Sequence, residues 1–384
     1  MTDTEQSTAL RESSAAAAPT GPALRVRGLR TSFSTSSGTR VEAVRSVSFE
    51  VDRGQTLVLL GESGSGKSVT ARSIMRLHGP RATVEGEVAI EGESLLPLDA
   101  EGIRRVRGSR VALVPQDPTA ALDPLRRVGR QITEVLLLHK MAGSRAAAKE
   151  RALELLRLVG IPDPVRAYRS FPHELSGGMR QRVVIAIGIS CDPSVLIADE
   201  PTTALDVTVQ AQILDLFADL QERMSTALLM VTHDVLVASD IADVIAVMYA
   251  GSIVETGPAR DVLAHPRHPY TEALLGALPT RETARGALKS IPGAPPVAGA
   301  EFGGCAFAAR CALARPECRE STPQLLQVGP RHLAACPVLN ESAGPDTETA
   351  AGGQGAENRG ADKQGAEKQG AGAALPAALE AEVA

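Results

Sequence analysis

The stretch Gly61–Ser68, GESGSGKS, follows the apolar run TLVLL and opens a segment with helical spacing, SVTARSIMRLHG. A strand that runs into a glycine-rich turn and then a helix constrains the fold more than any other feature of the chain. It points to the carboxyl edge of a parallel α/β sheet, where ligands collect. Gly61, Gly64 and Gly66 let backbone N–H groups come close to phosphate oxygens at a helix N-terminus, whose dipole favours anions. Lys67 is spaced to bridge β- and γ-phosphates and Ser68 to ligate Mg2+. Glu62, Ser63 and Ser65, with Val69 just beyond, belong to the same phosphate-binding stretch. The pattern names a nucleotide but not the machine that uses it.

Three further apolar runs, SVLIADE, ALLMVTH and DVIAVMYAG, alternate with helical patterns, the rhythm of a parallel sheet covered on both faces. VLIADEP delivers Asp199 and Glu200 to a strand end, Asp199 as a Mg2+ ligand and Glu200 as the carboxylate that orients or deprotonates an attacking water. His233 closes LLMVTHD, where it can donate to a γ-phosphate. Gln116, in VALVPQDP, likewise reads as ending a strand, where an amide can reach Mg2+ or water and report occupancy to the segment that follows. Singly, these residues are equally compatible with structural roles. The loop at Gly61 gives them meaning.

LRVRGLRTSF, VSFEVDRGQTLVLL and VEGEVAIEGESL read as short strands, and SVTARSIMRLHG as a helix that stops at Gly79. From about 117 to 184 the signals are helical, including EVLLLHKM and RAAAKERALELLRLVG, the latter closed by Gly160. Pro-rich text from Pro279 to Pro296 reads as a linker into a cysteine-bearing segment.

No run approaches the roughly 18 unbroken apolar residues of a membrane span. The N-terminus lacks a basic stretch leading into an apolar one, so it does not read as a signal peptide, and a cytoplasmic address is expected. Residues 1–22 and 341–384 are low-complexity and read as disordered tails. The second tail carries eight acidic and three basic residues, which accounts for the whole formal charge of -5. A nearly neutral folded part with no Trp argues against a nucleic-acid surface built on stacking platforms.

The ordered set GESGSGKS, VPQDP, LSGGMRQR, VLIADEPTTALD and VTHD, spanning roughly 24–260, resembles the ATP-binding subunits of ABC transporters. LSGGMRQR is the discriminating motif, because phosphate loops occur across many NTPases. The resemblance implies an α/β P-loop NTPase fold. Its parts would be a RecA-like parallel sheet core, an antiparallel β subdomain, a helical subdomain at about 117–184 and a small Cys-rich C-terminal extension. It implies an ATPase domain at 23–265, ATP and Mg2+ as ligands, Gln116 as coupling glutamine, Asp199 and Glu200 as metal and catalytic carboxylates, and His233 as switch histidine. Phe33 would stack on adenine. Asp206 would lie at a dimer seam, and Ser176, Gly177 and Gly178 would contact the γ-phosphate held by an opposing subunit. Met179 departs from the glutamine of many relatives.

Four of the five cysteines, Cys305, Cys311, Cys318 and Cys336, fall within 32 residues; Cys191 precedes a strand run and reads as a small core residue. In a reducing compartment the cluster argues for metal over disulfides. Its spacings match neither common structural zinc sites nor a bacterial ferredoxin run. With HPYT, the segment 266–340 is similar to the extension of the oligopeptide/dipeptide importer branch, which implies a [4Fe–4S] cluster, with zinc and unliganded thiols as alternatives. The branch implies a peripheral protein on the cytoplasmic face of the membrane. Its partners would be a second, different ATPase in a heterodimer, two membrane permease subunits and an extracytoplasmic peptide-binding protein. An ATPase of a related nickel or other small-solute importer and a soluble ABC-type regulatory ATPase are the rival readings.

Overall fold

The apolar run ahead of the phosphate loop forms an inner strand of an eight-stranded sheet. The computed structural model describes residues 21–36, 38–203, 205–278, 290–297 and 299–340. The tail read at 341–384, almost all of that at 1–22, and most of the Pro279–Pro296 linker lie outside the described residues.

In chain order the strands are β1 (Leu24–Ser34), β2 (Arg40–Val51), β3 (Thr56–Leu60), β4 (Ala82–Ile90), β5 (Glu93–Ser94), β6 (Val111–Val114), β7 (Val195–Asp199), β8 (Ala227–Thr232), β9 (Val244–Tyr249), β10 (Ser252–Pro258), β11 (Leu326–Gly329) and β12 (His332–Ala334). The large sheet has the order β11-β12-β10-β9-β3-β8-β7-β6, and a four-stranded antiparallel sheet has the order β2-β1-β4-β5. From β6 to β9 all neighbours are parallel. Every residue of β3, β7 and β8 is buried, which is why these strands read as unbroken apolar runs. In β3 the pleat sends Val58 and Leu60 into one apolar cluster, with the helical segment, and Leu57 and Leu59 into another, under the antiparallel sheet.

VSFEVDRGQTLVLL divides between the two sheets. The chain leaves β2 at Val51, turns at Gly54 with φ 65°, and enters β3 at Thr56. The helix after the phosphate loop, Lys67–Ile74, is also shorter than its sequence pattern. Arg76 adopts φ 52°, and Arg76 N–H and Leu77 N–H donate to the carbonyls of Ser73 and Arg72, a C-terminal lock that stops the helix before Gly79. Helices Val128–Leu138, Arg145–Leu158 and Pro164–Arg169 lie within the helical segment expected at about 117–184, and Gly177–Gly188 begins inside it and runs past its end. Gly160, at φ 73°, closes the second of them.

Residues beyond 265 do more than follow the sheet. β12 pairs antiparallel with β10, Glu255 opposite Ala334, and β11 pairs with β12, so the cysteine-bearing segment extends the large sheet at its edge.

Candidate nucleotide site

Register assembles the site. Leu60 pairs with Thr232, Asp199 with Val231, and Val114 with Ala198. The residues that follow each strand therefore emerge side by side on one edge: Gly61, His233, Glu200 and Gln116. Residues as far apart in sequence as Gly61 and His233 meet because parallel strands end together.

Gly61 and Gly66 are fixed by close approach. A Cβ on Gly61 would lie 2.2 Å from the Met248 carbonyl oxygen, and one on Gly66 2.6 Å from that of Ala43. Both have positive φ, 155° and 103°, and Gly66 caps the helix Lys67–Ile74. The Lys67 ammonium donates to the carbonyls of Gly61 at 2.7 Å and Glu62 at 2.9 Å. Burial lowers the Lys67 pKa, against the opposing pull of Glu200, Asp199 and Glu62. A buried ammonium resting on loop carbonyls is ready to exchange them for phosphate oxygens.

Ser68 Oγ donates to Asp199 Oδ1 at 2.7 Å. Asp199 is 1% exposed, and burial raises its carboxyl pKa, opposed chiefly by the Ser68 hydrogen bond. A hydroxyl and a carboxylate held together at a phosphate loop are the oxygen donors that suit Mg2+. Glu200 takes φ 49°, a left-handed turn directly after β7. Its Oε2 accepts from Gln116 Nε2 at 2.9 Å and Thr203 Oγ1 at 3.0 Å, and its Oε1 lies 3.2 Å from His233 Nδ1. The carboxylate is thus oriented by three side chains from three segments.

A cavity of about 400 Å³ opens over this arrangement; its lining includes Ser63, Gly64, Gly66, Lys67, Ser68, Val69, Gln116 and Glu200. Phe33 is not among its lining residues. Its ring stands edge-on to His78 at 5.2 Å. Ser176 and Asp206 lie at helix starts: Ser176 Oγ accepts from Met179 N–H at 3.3 Å and Asp206 Oδ1 from Val209 N–H at 2.9 Å. Gly178 packs so closely on the helix Val207–Met224 that a Cβ would lie 2.7 Å from Val209 Cγ1.

Three residues at this site carry no motif that points to their contacts. Thr203 orients Glu200 from the turn after β7. Arg310 and Tyr270 reach Glu62 from the C-terminal region. Tyr270 sits in the HPYT element, which marks it as notable without indicating its contact.

All five cysteines are free thiols, and Cys191 is a buried core residue as expected. Burial raises the pKa of Cys305, with further contributions from Cys318, Cys311 and Cys336, so the four thiols share one neighbourhood. Leu313 N–H donates to Cys311 Sγ at 3.3 Å. Among the described residues, however, no group of three or more His, Cys, Asp or Glu could hold a metal ion. The thiols suit a soft metal centre by type, but their placement does not gather them around an ion. Among the described residues, no helix is long and apolar enough to cross a membrane.

The family model described as ABC transporter matches residues 44–203, and the one described as Oligopeptide/dipeptide transporter, C-terminal region, matches residues 254–318. The chain is 48% identical over 323 residues to the oligopeptide transport ATP-binding protein OppD of Bacillus subtilis (strain 168), covering 83% of this chain and 90% of that protein. It is 46% identical over 321 residues to the dipeptide transport ATP-binding protein DppD of Lactococcus lactis subsp. cremoris (strain MG1363), covering 83% and 92%. A similar solved structure is the dimer of an ATP-binding cassette in a post-hydrolysis state bound to ADP and Pi. It has a TM-score of 0.55 and 27% identity, covering 62% of this chain and 98% of that one.

Proposed function

The chain belongs to the ATP-binding subunits of ABC transporters of the oligopeptide/dipeptide class, and from that premise we propose that it hydrolyses ATP to drive the import of peptides through separate membrane subunits. The observation that carries the catalytic half is the carboxylate of Glu200, fixed by Gln116, Thr203 and His233 beside the cavity over the phosphate loop. The transport half is supported by the match of residues 254–318 to the C-terminal region of oligopeptide/dipeptide transporters.

Glu200 orients and deprotonates the attacking water, and its fixed position spares the reaction the cost of orienting it. His233 donates to the γ-phosphate. Lys67 moves from the carbonyls of Gly61 and Glu62 onto phosphate oxygens, where its charge offsets the charge that develops in an in-line displacement. Mg2+, held by Ser68 and Asp199 with Gln116 in reach, supplies Lewis-acid neutralisation when bound.

Ser176, Gly177 and Gly178 complete the nucleotide site of an opposing subunit, with Asp206 at the seam. The first turn of the helix Gly177–Gly188 supplies N–H groups there, and the neighbouring Val207 is 82% exposed. A different ATPase subunit fills the other half. The two permease subunits dock near the Gln116 segment, where Leu125 is 85% exposed, and hold the protein at the cytoplasmic face of the membrane. An extracytoplasmic binding protein delivers the peptide. Phe33 is assigned to the adenine side. The four clustered cysteines match a [4Fe–4S] centre in donor type but not in placement, and no step depends on it.

Co-purifying the chain with its membrane subunits and binding protein, identifying the bound ligand by mass spectrometry, and measuring ATP-dependent uptake in proteoliposomes tests the proposal. Peptide in the binding protein and ATP-driven peptide uptake are expected. Nickel uptake without peptide uptake contradicts the peptide assignment.

A further inference from the structure

The phosphate loop is held from outside itself, through its second residue. Glu62 N–H donates to the Tyr270 hydroxyl at 2.8 Å. The Glu62 carboxylate accepts from both terminal nitrogens of Arg310, at 2.8 and 3.1 Å. Its carbonyl accepts from the Lys67 ammonium at 2.9 Å. Tyr270 and Arg310 lie 208 and 248 residues further along the chain, in the C-terminal region.

Both partners are themselves immobilised. Tyr270 is fully buried, and burial pushes its phenol pKa up, so the hydroxyl is neutral and available as an acceptor. The Arg310 side chain is 5% exposed. Its Nε donates to the Pro292 carbonyl at 2.9 Å, and its guanidinium lies 5.8 Å and 5.9 Å from the ring centres of Tyr249 and Phe307. A planar guanidinium held this way grips a carboxylate in one geometry, which an ammonium on a flexible stem would not.

The contact bears on the chemistry in two ways. A carboxylate beside a triphosphate site repels the ligand unless it is neutralised, and the bidentate Arg310 pair neutralises it. Lys67 waits for phosphate on the carbonyl of the residue that Arg310 and Tyr270 fix, so the position of Glu62 sets the position of the ammonium. We infer that Arg310 and Tyr270 are positioning residues of the ATP site: through their grip on Glu62, the C-terminal region sets the conformation of the phosphate loop and with it the affinity for ATP. The inference rests on Gly61–Ser68 as the ATP site. Arg310 also lies between Cys305 and Cys311, in a turn where Ala308 N–H donates to the Cys305 carbonyl at 3.0 Å and Arg310 N–H to that of Phe307 at 2.9 Å, so the cysteine segment carries the arm that holds the loop.

The test uses the full-length chain, a fluorescent ATP analogue for affinity, and steady-state turnover. Arg310→Met keeps the apolar stem and removes the charge. It is expected to weaken ATP binding by about tenfold or more, with turnover at saturating ATP within about twofold of the parent. Arg310→Lys should be intermediate. Glu62→Gln should weaken binding similarly, and the Arg310→Met/Glu62→Gln double variant should be no worse than Arg310→Met alone. Unchanged affinity in both single variants with only a lower melting temperature overturns the inference, as does additivity in the double variant. If Arg310→Met does not fold, Glu62→Gln and Tyr270→Phe, which remove only a charge and a hydroxyl, decide by the same criterion. Lys67→Met serves as the control: if it binds ATP like the parent, the assignment of the site fails, independently of the grip on Glu62.

Discussion

The amide of Gln116 donates to the carboxylate of Glu200 at 2.9 Å, across 84 residues of sequence. The bond follows from strand register, because Val114 stands opposite Ala198 and each chain runs two residues further before the side chains meet. It links the segment that leads into the helical part of the molecule to the group assigned to activate water.

His233 Nδ1 stands 3.2 Å from the other oxygen of the same carboxylate, and the side chain is 49% exposed. His233→Ala is expected to lower turnover by about a hundredfold while leaving ATP affinity near that of the parent. Steady-state kinetics alongside nucleotide binding checks this; an equal loss in both would mean that His233 serves binding.

Gly61 and Gly64 both have positive φ, but only Gly61 has a neighbour against it, the Met248 carbonyl. Gly61→Ala should therefore cost about 1–3 kcal/mol and push the loop off β9, whereas Gly64→Ala meets open space and carries only the backbone penalty of about 1–2 kcal/mol. Thermal denaturation and ATP binding of the two variants should separate, with Gly61→Ala the worse in both. Equal effects would contradict the close-approach explanation.

His268, 1% exposed, caps the helix Pro269–Gly276 by accepting from Tyr270 N–H at 3.1 Å, which requires an unprotonated Nδ1. Burial lowers its pKa from 6.5 to about 4. The unfolded chain takes up this proton below pH 6.5 and the folded protein only near 4. The contribution is therefore complete above 6.5 and is lost as pH falls through that window, on the order of 3 kcal/mol in all. His268→Asn keeps a capping acceptor. Denaturation free energies measured from pH 7 to pH 4 should fall less steeply for this variant; parallel slopes would contradict the assignment.

The phosphate-loop side of the site was legible because its parts are local. Gly61, Lys67 and Ser68 lie within one eight-residue stretch, Asp199 ends a fully buried strand, and Glu200 and His233 each follow one, its apolar run announcing where it ends. The boundaries were harder. Nothing in SVTARSIMRLHG distinguishes Arg76 as the residue that turns left-handed, and VSFEVDRGQTLVLL reads as continuous until Gly54 moves the chain from one sheet to the other. Arg310 and Tyr270 could not be seen as part of the site, because a contact across 248 or 208 residues leaves no spacing to read. The addition of β11 and β12 to the sheet edge was hidden for the same reason.

The turnover of Glu200→Gln in the assembled transporter tests the role of this carboxylate most directly. The substitution keeps the size of the side chain and removes the base. ATP should still bind, and hydrolysis should fall by at least about a hundredfold, with peptide uptake lost in step. Parental rates of ATP hydrolysis in this variant would contradict the assignment of Glu200 as the group that activates water.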